Sequence, residues 1–188
     1  MMNNNNSHKI YNQFRSSCLI GDSKIVKKMI YEQNVINCII NKDDILRIIS
    51  GKTDKYRKIL KYIASKCINI NIDDDILLGC FGNGWDNIAK LFVGREDIKA
   101  DNIKNNDCII KLLKFNNDYI SNKVIRSDLD YMGKNEAVML YLCSHGKTDL
   151  VKKIVRITVI DPNYNNGIFL RAGAKYKDII NALKINDI

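Results

Sequence analysis

The stretch from Val138 to Val155, VMLYLCSHGKTDLVKKIV, contains two short apolar segments separated by one glycine and a polar turn. In the second segment, four apolar residues fall at positions i, i+1, i+4 and i+5, so they share one face of an α-helix. They are Leu150, Val151, Ile154 and Val155. Such an apolar stripe needs a neighbour to cover it. The stretch therefore predicts a helix-turn-helix unit that packs against other parts of the chain.

The same stripe recurs along the whole chain. The copies begin at Ile25, Ile59, Ile88, Val124, Leu150 and Ile179. The copy at Val124 is the weakest, because Asp128 interrupts its apolar face. Steps between successive copies are 34, 29, 36, 26 and 29 residues, and an average near 31 lies within the roughly 20 to 50 residues that mark helical repeats. The spacing predicts internal repetition.

Glycine is predicted to end the first helix of several units. Gly21 is followed by Asp22 and Ser23, which can cap the next helix by accepting its N–H groups. Gly84 aligns with Gly146 without a gap when the third unit is laid over the fifth. The first, third and fifth units therefore share one turn in this prediction.

The second and fourth units differ from this pattern. In the second unit the turn is GKTD, residues 51–54, and Thr53 or Asp54 is the expected helix cap. The fourth unit, placed at 107–130, lacks the glycine and offers the turn residues 116–118 instead. Of all the units, the fourth has the least well defined helix boundaries in the sequence.

Two connecting segments have their own signals. Residues 67–75, CININIDDD, alternate apolar and polar residues, which fits a short strand or an extended loop, and we favour the loop. The only proline, Pro162, lies among turn-forming residues, so a helix must end before Asp161. The last unit is predicted to begin at Ile168.

Composition sets the class of protein. The chain has 188 residues and 46% hydrophobic content, enough for a real core, and we predict one domain over 9–188. The first eight residues, MMNNNNSH, form a polar tract without the apolar centre of a signal peptide, so we predict a disordered tail at 1–8. No segment reaches the ~18 apolar residues of a membrane span. A soluble, cytoplasmic protein is expected.

Six cysteines are scattered through apolar segments and never form a C-x-x-C pair. They are Cys18, Cys38, Cys67, Cys80, Cys108 and Cys143. This distribution favours buried thiols in a reducing compartment over disulfides or a zinc site.

Three segments carry a resemblance to a known family. They are GDSKIVKKMI (21–30), GWDNIAKLFV (84–93) and SHGKTDLVKKIV (144–155). Their pattern, G-x-x-x-[IV]-V-K-x-[LI]-[LI] after small residues in the first helix, resembles the ankyrin repeat, and most closely the divergent repeats of giant, mimivirus-like viruses of amoebae. The bias toward Asn, Ile and Lys points the same way. The T-P-L-H opening that is common in the family is absent from this chain.

The resemblance covers roughly residues 10–185 and implies a fold and a function. It implies an all-α protein, an α-solenoid of about five or six degenerate ankyrin-type helix-turn-helix repeats. In such proteins a concave surface binds another protein without catalysis or a cofactor. We therefore expect a monomeric protein-protein interaction module that is viral and works in the host cytoplasm on a host or viral protein.

The charge offers an alternative function. The net charge is +9 and the pI about 9.2, which is typical of proteins that bind nucleic acid or anionic surfaces. Basic residues of the second helices would line up if the repeats stack. They are Lys27, Lys28, Lys58, Lys61, Lys90, Lys152, Lys153 and Arg156, called the lysine stripe below. We favour compositional drift and solubility as its cause, because no aromatic residues for base stacking are interleaved with it in the sequence.

Catalysis has little support in the sequence. Only His8 and His145 could transfer protons near neutral pH. His8 lies in the polar tail, and Cys143 would point to a different side of its helix from His145. We predict no catalytic residue and read His145 as an exposed turn residue.

Metal and nucleotide sites have little support as well. The carboxylates at 73–75 directly precede a predicted helix, whose positive dipole end explains them better than a cation does. The glycines at 79, 82 and 84 lack the strand and the Gly-Lys-Ser/Thr ending of a phosphate loop. We expect no metal and no cofactor.

Two residues at the predicted turns are candidates for binding a partner protein. Trp85 is the only tryptophan, and tryptophan is enriched among residues that dominate interface energies. The alternative, which we favour, is that Trp85 packs over the neighbouring turn. His145 precedes the turn glycine of the fifth unit and is the second candidate.

Overall fold

The computed structural model describes residues 4–32, 40–66 and 70–184, with side chains from residue 9 onward. These residues form twelve α-helices and no strand, so the all-α prediction is confirmed for them. The helices are α1 (Asn4–Ile20), α2 (Ser23–Glu32), α3 (Lys42–Ser50), α4 (Asp54–Lys66), α5 (Asp74–Gly82), α6 (Asp86–Val93), α7 (Asn106–Leu113), α8 (Asp118–Val124), α9 (Glu136–Ser144), α10 (Thr148–Ile157), α11 (Tyr164–Ala172) and α12 (Lys177–Lys184).

The chain divides into two compact units, Met1–Asn102 and Ile103–Ile188. The first unit contains three helix pairs, α1/α2, α3/α4 and α5/α6, and the helices of each pair pack on each other. The first helices also pack in series, α1 on α3 and α3 on α5, while α4 packs on both α2 and α6. Each pair thus covers the apolar stripe of the next.

The second unit repeats this arrangement with the pairs α7/α8, α9/α10 and α11/α12. The first helices again pack in series, α7 on α9 and α9 on α11, and α10 packs on α12. Helix α8 is the exception. It packs on α7 but makes little contact with α10, so the layer of second helices is open at this point. The prediction of one domain over 9–188 stays a prediction.

The turns of the first five helix pairs share one backbone conformation. Gly21, Gly84 and Gly146 have φ of 87°, 68° and 65°, in the left-handed region that glycine adopts at no steric cost. The shared turn of the first, third and fifth units is therefore confirmed. The same region is occupied by Lys52 (φ 53°) and Asn116 (φ 48°) in the second and fourth pairs. There the left-handed residue is not a glycine.

The structure corrects the register of the fourth unit. Val124 is the last residue of α8, and Leu129 lies beyond the helix, so the stripe predicted to start at Val124 is wrong. The buried residues at the spacing i, i+1, i+4, i+5 are Ile120, Ser121, Val124 and Ile125. With Ile120 as the first residue, the steps become 34, 29, 32, 30 and 29. A polar residue, Ser121, within the stripe hid the more regular repeat.

Burial of the stripes varies between pairs. Those of α4 and α6 are fully buried, in agreement with the prediction. In α2, Ile25 is 39% exposed, because this helix packs on α4 alone among the second helices. In α10, Val151 and Ile154 are buried while Leu150 and Val155 are half-buried. The accessible part of Leu150 faces the gap between α8 and α10.

The connecting segments largely follow the predictions. Residues 70–73 form neither helix nor strand, so the loop is confirmed there, and 67–69 lie outside the described residues. Helix α10 ends at Ile157, before Asp161 as predicted. Residues 165–167 have positive φ, so regular helical geometry in α11 starts at Ile168. At the other end, α1 begins at Asn4, inside the segment 1–8 that was predicted to be a disordered tail.

Cysteines within the described residues are buried. They are Cys18, Cys80, Cys108 and Cys143, while Cys38 and Cys67 lie outside the described residues. Burial in apolar surroundings disfavours the thiolate and raises the pKa of both Cys80 and Cys143 to about 12. These two thiols are therefore core residues with low reactivity at neutral pH.

Tyr131 anchors the loop between α8 and α9 and should make stability fall at alkaline pH. Its buried hydroxyl donates to the carbonyl of Arg126 at 3.0 Å and accepts the N–H of Arg126 at 3.1 Å. Burial, the largest cause, raises the pKa of Tyr131 from 10.0 to about 12. The folded state thus favours the neutral phenol, and this contribution to stability is present below pH 10 and lost as pH rises toward about 12.

We expect Tyr131→Phe to lose about 1–2 kcal/mol of unfolding free energy at pH 7, since two buried backbone groups lose their partner. Between pH 10 and 12, the variant should lose less further stability than the wild type does. Urea unfolding across this pH range measures both effects. Equal alkaline slopes in the two proteins would contradict the assignment.

Candidate interaction cleft

Hydrogen bonds tie the turns of the second, third and fifth pairs to the preceding turn within their unit. In the first unit, the Tyr56 hydroxyl donates to the Leu19 carbonyl at 3.1 Å, and the Asn83 amide donates to the Ile49 carbonyl at 2.8 Å. In the second unit, Lys147 Nζ donates to Asn116 Oδ1 at 2.6 Å. The partners are separated by 37, 34 and 31 residues. Each of these bonds therefore spans about one helix pair.

Two arginines make a second repeating contact. Arg95 Nη1 donates to the Ala64 carbonyl at 3.0 Å and its Nε to Asp97 at 2.8 Å. Arg126, 31 positions later, repeats the contact with the aspartate two residues on, Asp128 at 2.8 Å, and donates to a carbonyl at a different position, that of Ile103 at 3.2 Å. The hydrogen bond from Arg126 also lowers the pKa of Asp128. Sequence reasoning missed both arginines, although the R-x-D spacing repeated after 31 residues is a signal that could have found them.

A cleft of about 630 Å³ lies between the turns and second helices of the fourth and fifth pairs. It occupies the place where α8 and α10 make little contact. Its polar lining includes Asn116, Asp118, Ser121, Asn122, Lys147 and Asp149. Apolar surface comes from Leu113 and Leu150. A volume in this range is typical of ligand-binding clefts.

Two lysines bridge the gap between the fourth and fifth pairs. Lys147 reaches Asn116 at one end, and Lys153 Nζ donates to the carbonyl oxygen of Asn122 at 2.5 Å. Partial burial lowers the pKa of Lys153, because the charged ammonium loses water there. Helices α10 and α12 pack directly on each other. Between α8 and α10, by contrast, these polar contacts connect the two sides of the cleft.

Ser121 is the buried polar residue of the cleft. It is 5% exposed and lines the cleft from α8. Its hydroxyl has no hydrogen-bond partner among the residues that the structure describes. The equivalent stripe positions in α4, α6 and α10 are Leu60, Ala89 and Val151. Ser121 is thus a polar exception at an apolar position, with an unused donor and acceptor at the cleft.

The carboxylates of the cleft lie on its two sides. Asp118 is in the first turn of α8 and Asp149 in the first turn of α10, and both are exposed. Neither forms an ion pair with another described residue. The cleft therefore carries two solvent-accessible negative charges.

His145 and Trp85 lie outside this cleft lining. The His145 ring is exposed and stacks on Tyr141 with centroids 4.2 Å apart, and its Nδ1 is 2.9 Å from the Tyr141 carbonyl. The buried thiol of Cys143 does not join it. Trp85 is only 6% exposed, which supports the interpretation of this residue as packing over its turn.

The lysine stripe is more regular in the first unit than in the second. Its members in α2, α4 and α6 are all exposed, whereas Lys152 and Lys153 in α10 are half-buried. Lys58 pairs with Asp54 at 2.7 Å. The structure also brings aromatic residues to this surface, which the sequence analysis did not foresee. Tyr31, 52% exposed, meets Tyr62 edge to face at 6.3 Å, and Lys66 Nζ lies 5.6 Å from the Tyr31 ring centre.

The acidic run at 73–75 has a structural role. Asp73 caps α5 by accepting the N–H of Ile76 at 3.2 Å. Lys42 approaches Asp73 at 2.6 Å and Asp75 at 2.5 Å, and these hydrogen bonds raise the pKa of Lys42 above its ordinary value. Helix capping and ion pairing account for these carboxylates.

Metal-binding clusters and membrane-spanning helices are both absent from the described residues. No group of three or more His, Cys, Asp or Glu side chains within 4–32, 40–66 and 70–184 is placed to hold a metal ion. No helix in the same ranges is long and apolar enough to cross a membrane.

Comparison with known proteins leaves the family open: no protein-family model, no curated protein and no solved structure matches this chain.

Proposed function

We propose that this chain is a protein interaction module, an α-solenoid of ankyrin-type helix pairs that binds another protein without catalysis or a cofactor. The observation that carries the proposal is the repeated turn, in which a left-handed residue ends the first helix and a side chain bonds to the turn one pair earlier. Stacked repeats of this kind expose long continuous surfaces, which suits them to protein recognition.

The cleft between α8 and α10 is the part of this surface most suited to a partner. It is open to solvent, combines apolar with polar lining, and includes the hydroxyl of Ser121, which has no hydrogen-bond partner within the described residues. A bound segment can therefore add a hydrogen bond to Ser121, as donor or as acceptor. Recognition at this cleft is the mechanism that we propose.

Capture with a matched pair of variants tests the function. Asn122 and Asn181 are exposed and lie at equivalent positions of α8 and α12, but only Asn122 lines the cleft. We expect the wild type and Asn181→Tyr to enrich the same protein from an amoebal lysate over a tag-only control, and Asn122→Tyr to lose it. Mass spectrometry identifies the captured protein. The proposal fails if nothing is enriched, or if both variants retain the partner equally.

The resemblance to repeats of giant viruses supports a narrower form of the proposal. A viral origin would place the chain in the host cytoplasm, where it binds a host or viral protein as a monomer. The Asn, Ile and Lys bias of the composition supports this origin. Light scattering of the purified chain checks the monomer, and a dimer mass would contradict it.

A second candidate function is binding of single-stranded nucleic acid, and the Tyr31/Tyr62 contact favours it. Proteins of this class combine a positive surface with aromatic rings on which bases stack. In the first unit, exposed Lys27 and Lys61 lie on the same two helices as this tyrosine pair. Such a surface can contact phosphates and stack on a base at the same time.

Gel shifts test this candidate. At ~50 mM salt, where phosphate contacts are strong, the wild type and Lys99→Glu/Lys175→Glu should retard a labelled oligonucleotide. Lys27→Glu/Lys61→Glu and Tyr31→Ala should not. All four lysines are exposed, so the two pairs change the net charge equally. Absence of salt-sensitive binding by the wild type would eliminate this function.

A further inference from the structure

We propose that the cleft between α8 and α10 binds an extended peptide segment through a lysine or arginine side chain, whose cationic group lies between Asp118 and Asp149. This inference rests on the proposed function, since it names the chemistry of the partner at the same cleft. It also predicts that a strongly basic protein recognises a basic segment.

Charge is the first argument. The chain carries a net charge of +9, yet the cleft lining contains two carboxylates and one ammonium group, that of Lys147. This ammonium group is already bonded to Asn116 at 2.6 Å. The two carboxylates are exposed and have no ionic partner among the described residues. A cation entering the cleft would therefore meet two available acceptors.

The helix dipole alone does not explain this pair of carboxylates. An acidic residue in the first turn also occurs in other second helices, namely Asp54, Asp86 and Asp178, so the position as such is a general stabilising feature. Asp118 and Asp149 in addition line one shared cleft. The difference lies in the gap between α8 and α10, which brings two first-turn carboxylates to one opening.

The remaining lining suits the rest of such a segment. The hydroxyl of Ser121 can donate to a main-chain carbonyl or accept a main-chain N–H. The half-buried Leu150 supplies apolar surface, against which the aliphatic stem of a lysine or arginine packs while its charge stays near water. An extended peptide provides all three elements, namely a cation, a stem and an amide backbone.

An anionic ligand fits this cleft less well. The ammonium groups of Lys147 and Lys153 are both committed to oxygens of the fourth pair, at 2.6 Å and 2.5 Å. A phosphate or an acidic peptide would have to break these bridges and approach two carboxylates. Like charges at short distance repel. We therefore assign the cleft to a cationic segment.

Pools of 12-residue peptides with a fixed centre test this assignment. The centre is arginine, glutamine or glutamate, and all other positions are mixed equally in each pool. In ¹H–¹⁵N spectra of the full chain, the arginine pool should shift the amides of Ser121, Asn122 and Asp149 at a concentration about tenfold lower than the glutamine pool, corresponding to one charge-assisted contact. The glutamate pool should leave them unchanged.

Variants separate charge from fold. Asp118→Asn/Asp149→Asn should abolish the preference for arginine, while the matched pair Asp86→Asn/Asp178→Asn should keep it. Ser121→Ala introduces the residue that α6 has at the equivalent position, Ala89. It should fold normally and bind the arginine pool several-fold more weakly, through loss of one hydrogen bond. Equal shifts from all three pools, or an arginine preference that survives Asp118→Asn/Asp149→Asn, would overturn the proposal.

The two proposals fail in distinguishable ways. If Asn122→Tyr abolishes capture of a cellular protein but no pool shows a preference for arginine, the interaction function stands and the basic segment is wrong. If the arginine pool binds at the cleft while the lysate yields no partner, the chemistry of the cleft stands and the interaction function is wrong.

Discussion

Val151→Asp is expected to unfold the second unit. Val151 is fully buried in the middle of α10, and this helix packs on α9 and α12. A carboxylate there would lose its water without gaining a partner, which costs about 4 kcal/mol or more. A unit of this size has only about 5–10 kcal/mol of stability. Circular dichroism should show loss of helix, and hydrogen exchange should locate that loss in α9, α10 and α12.

Val159→Asp is the matched control. It makes the same chemical change eight residues later, at a side chain that is 78% exposed beyond the end of α10. The expected change in stability is less than about 0.5 kcal/mol. Full helicity in Val151→Asp would contradict the buried stripe that defines this repeat, and a loss in Val159→Asp would show that the effect is not one of burial.

Gly146→Ala is expected to destabilise the chain by about 2–5 kcal/mol, through two separate effects. The backbone at Gly146 is left-handed, with φ of 65°, which costs roughly 1–2 kcal/mol for a residue with a Cβ atom. In addition, the new methyl group would lie 2.6 Å from Cε1 of Tyr176. Displacing this ring from the neighbouring turn adds an overpacking cost of about 1–3 kcal/mol.

Gly84→Ala separates the two effects. Gly84 has nearly the same conformation, with φ of 68°, but no heavy atom of the described residues lies within 4 Å of the added methyl group. We expect it to cost only the conformational part, roughly 1–2 kcal/mol. Urea unfolding of both variants measures the difference. Equal losses would show that Tyr176 does not pack on Gly146 as the structure has it.

The first helix pair could be predicted from the sequence because it combines three local signals. An apolar stripe, a turn residue that tolerates positive φ and a capping side chain fall at fixed offsets, as at Gly21 and Asp22. Each signal depends on neighbours a few residues away, so it is visible without knowledge of the fold. The buried residues of α4 and α6 follow directly from this reasoning.

The fourth pair could not be placed in the same way, because Ser121 occupies an apolar position of the stripe. Because this one position is polar, the stripe was predicted to start at Val124, four residues after its actual start at Ile120. The reason for a serine there is tertiary, since its side chain faces the gap beside α10 rather than a packed neighbour. Ser121, which obscured the register in the sequence, is also one of the residues that line the candidate cleft.

The cleft itself had no signal in the sequence. It depends on how closely α8 approaches α10, and this distance reflects packing between elements that are about 30 residues apart. Asp118, Asp149 and Asn122 look like ordinary surface residues when each is considered alone. Trp85, which stands out in the sequence, is largely buried. The rarity of a residue type in the sequence was therefore a poorer guide to the candidate site than the position of the residue in the helix pairs.

The bonds between successive turns constrain how the length of the chain can change. A residue inserted into the turn at Asn83 would move its amide away from the Ile49 carbonyl, whereas one inserted between two helix pairs would leave this bond in place. In related chains, we therefore expect insertions and deletions between helix pairs and few of them within the pairs. Segments of constant length within the pairs would then alternate with segments of variable length between them, even where the amino-acid sequence has diverged.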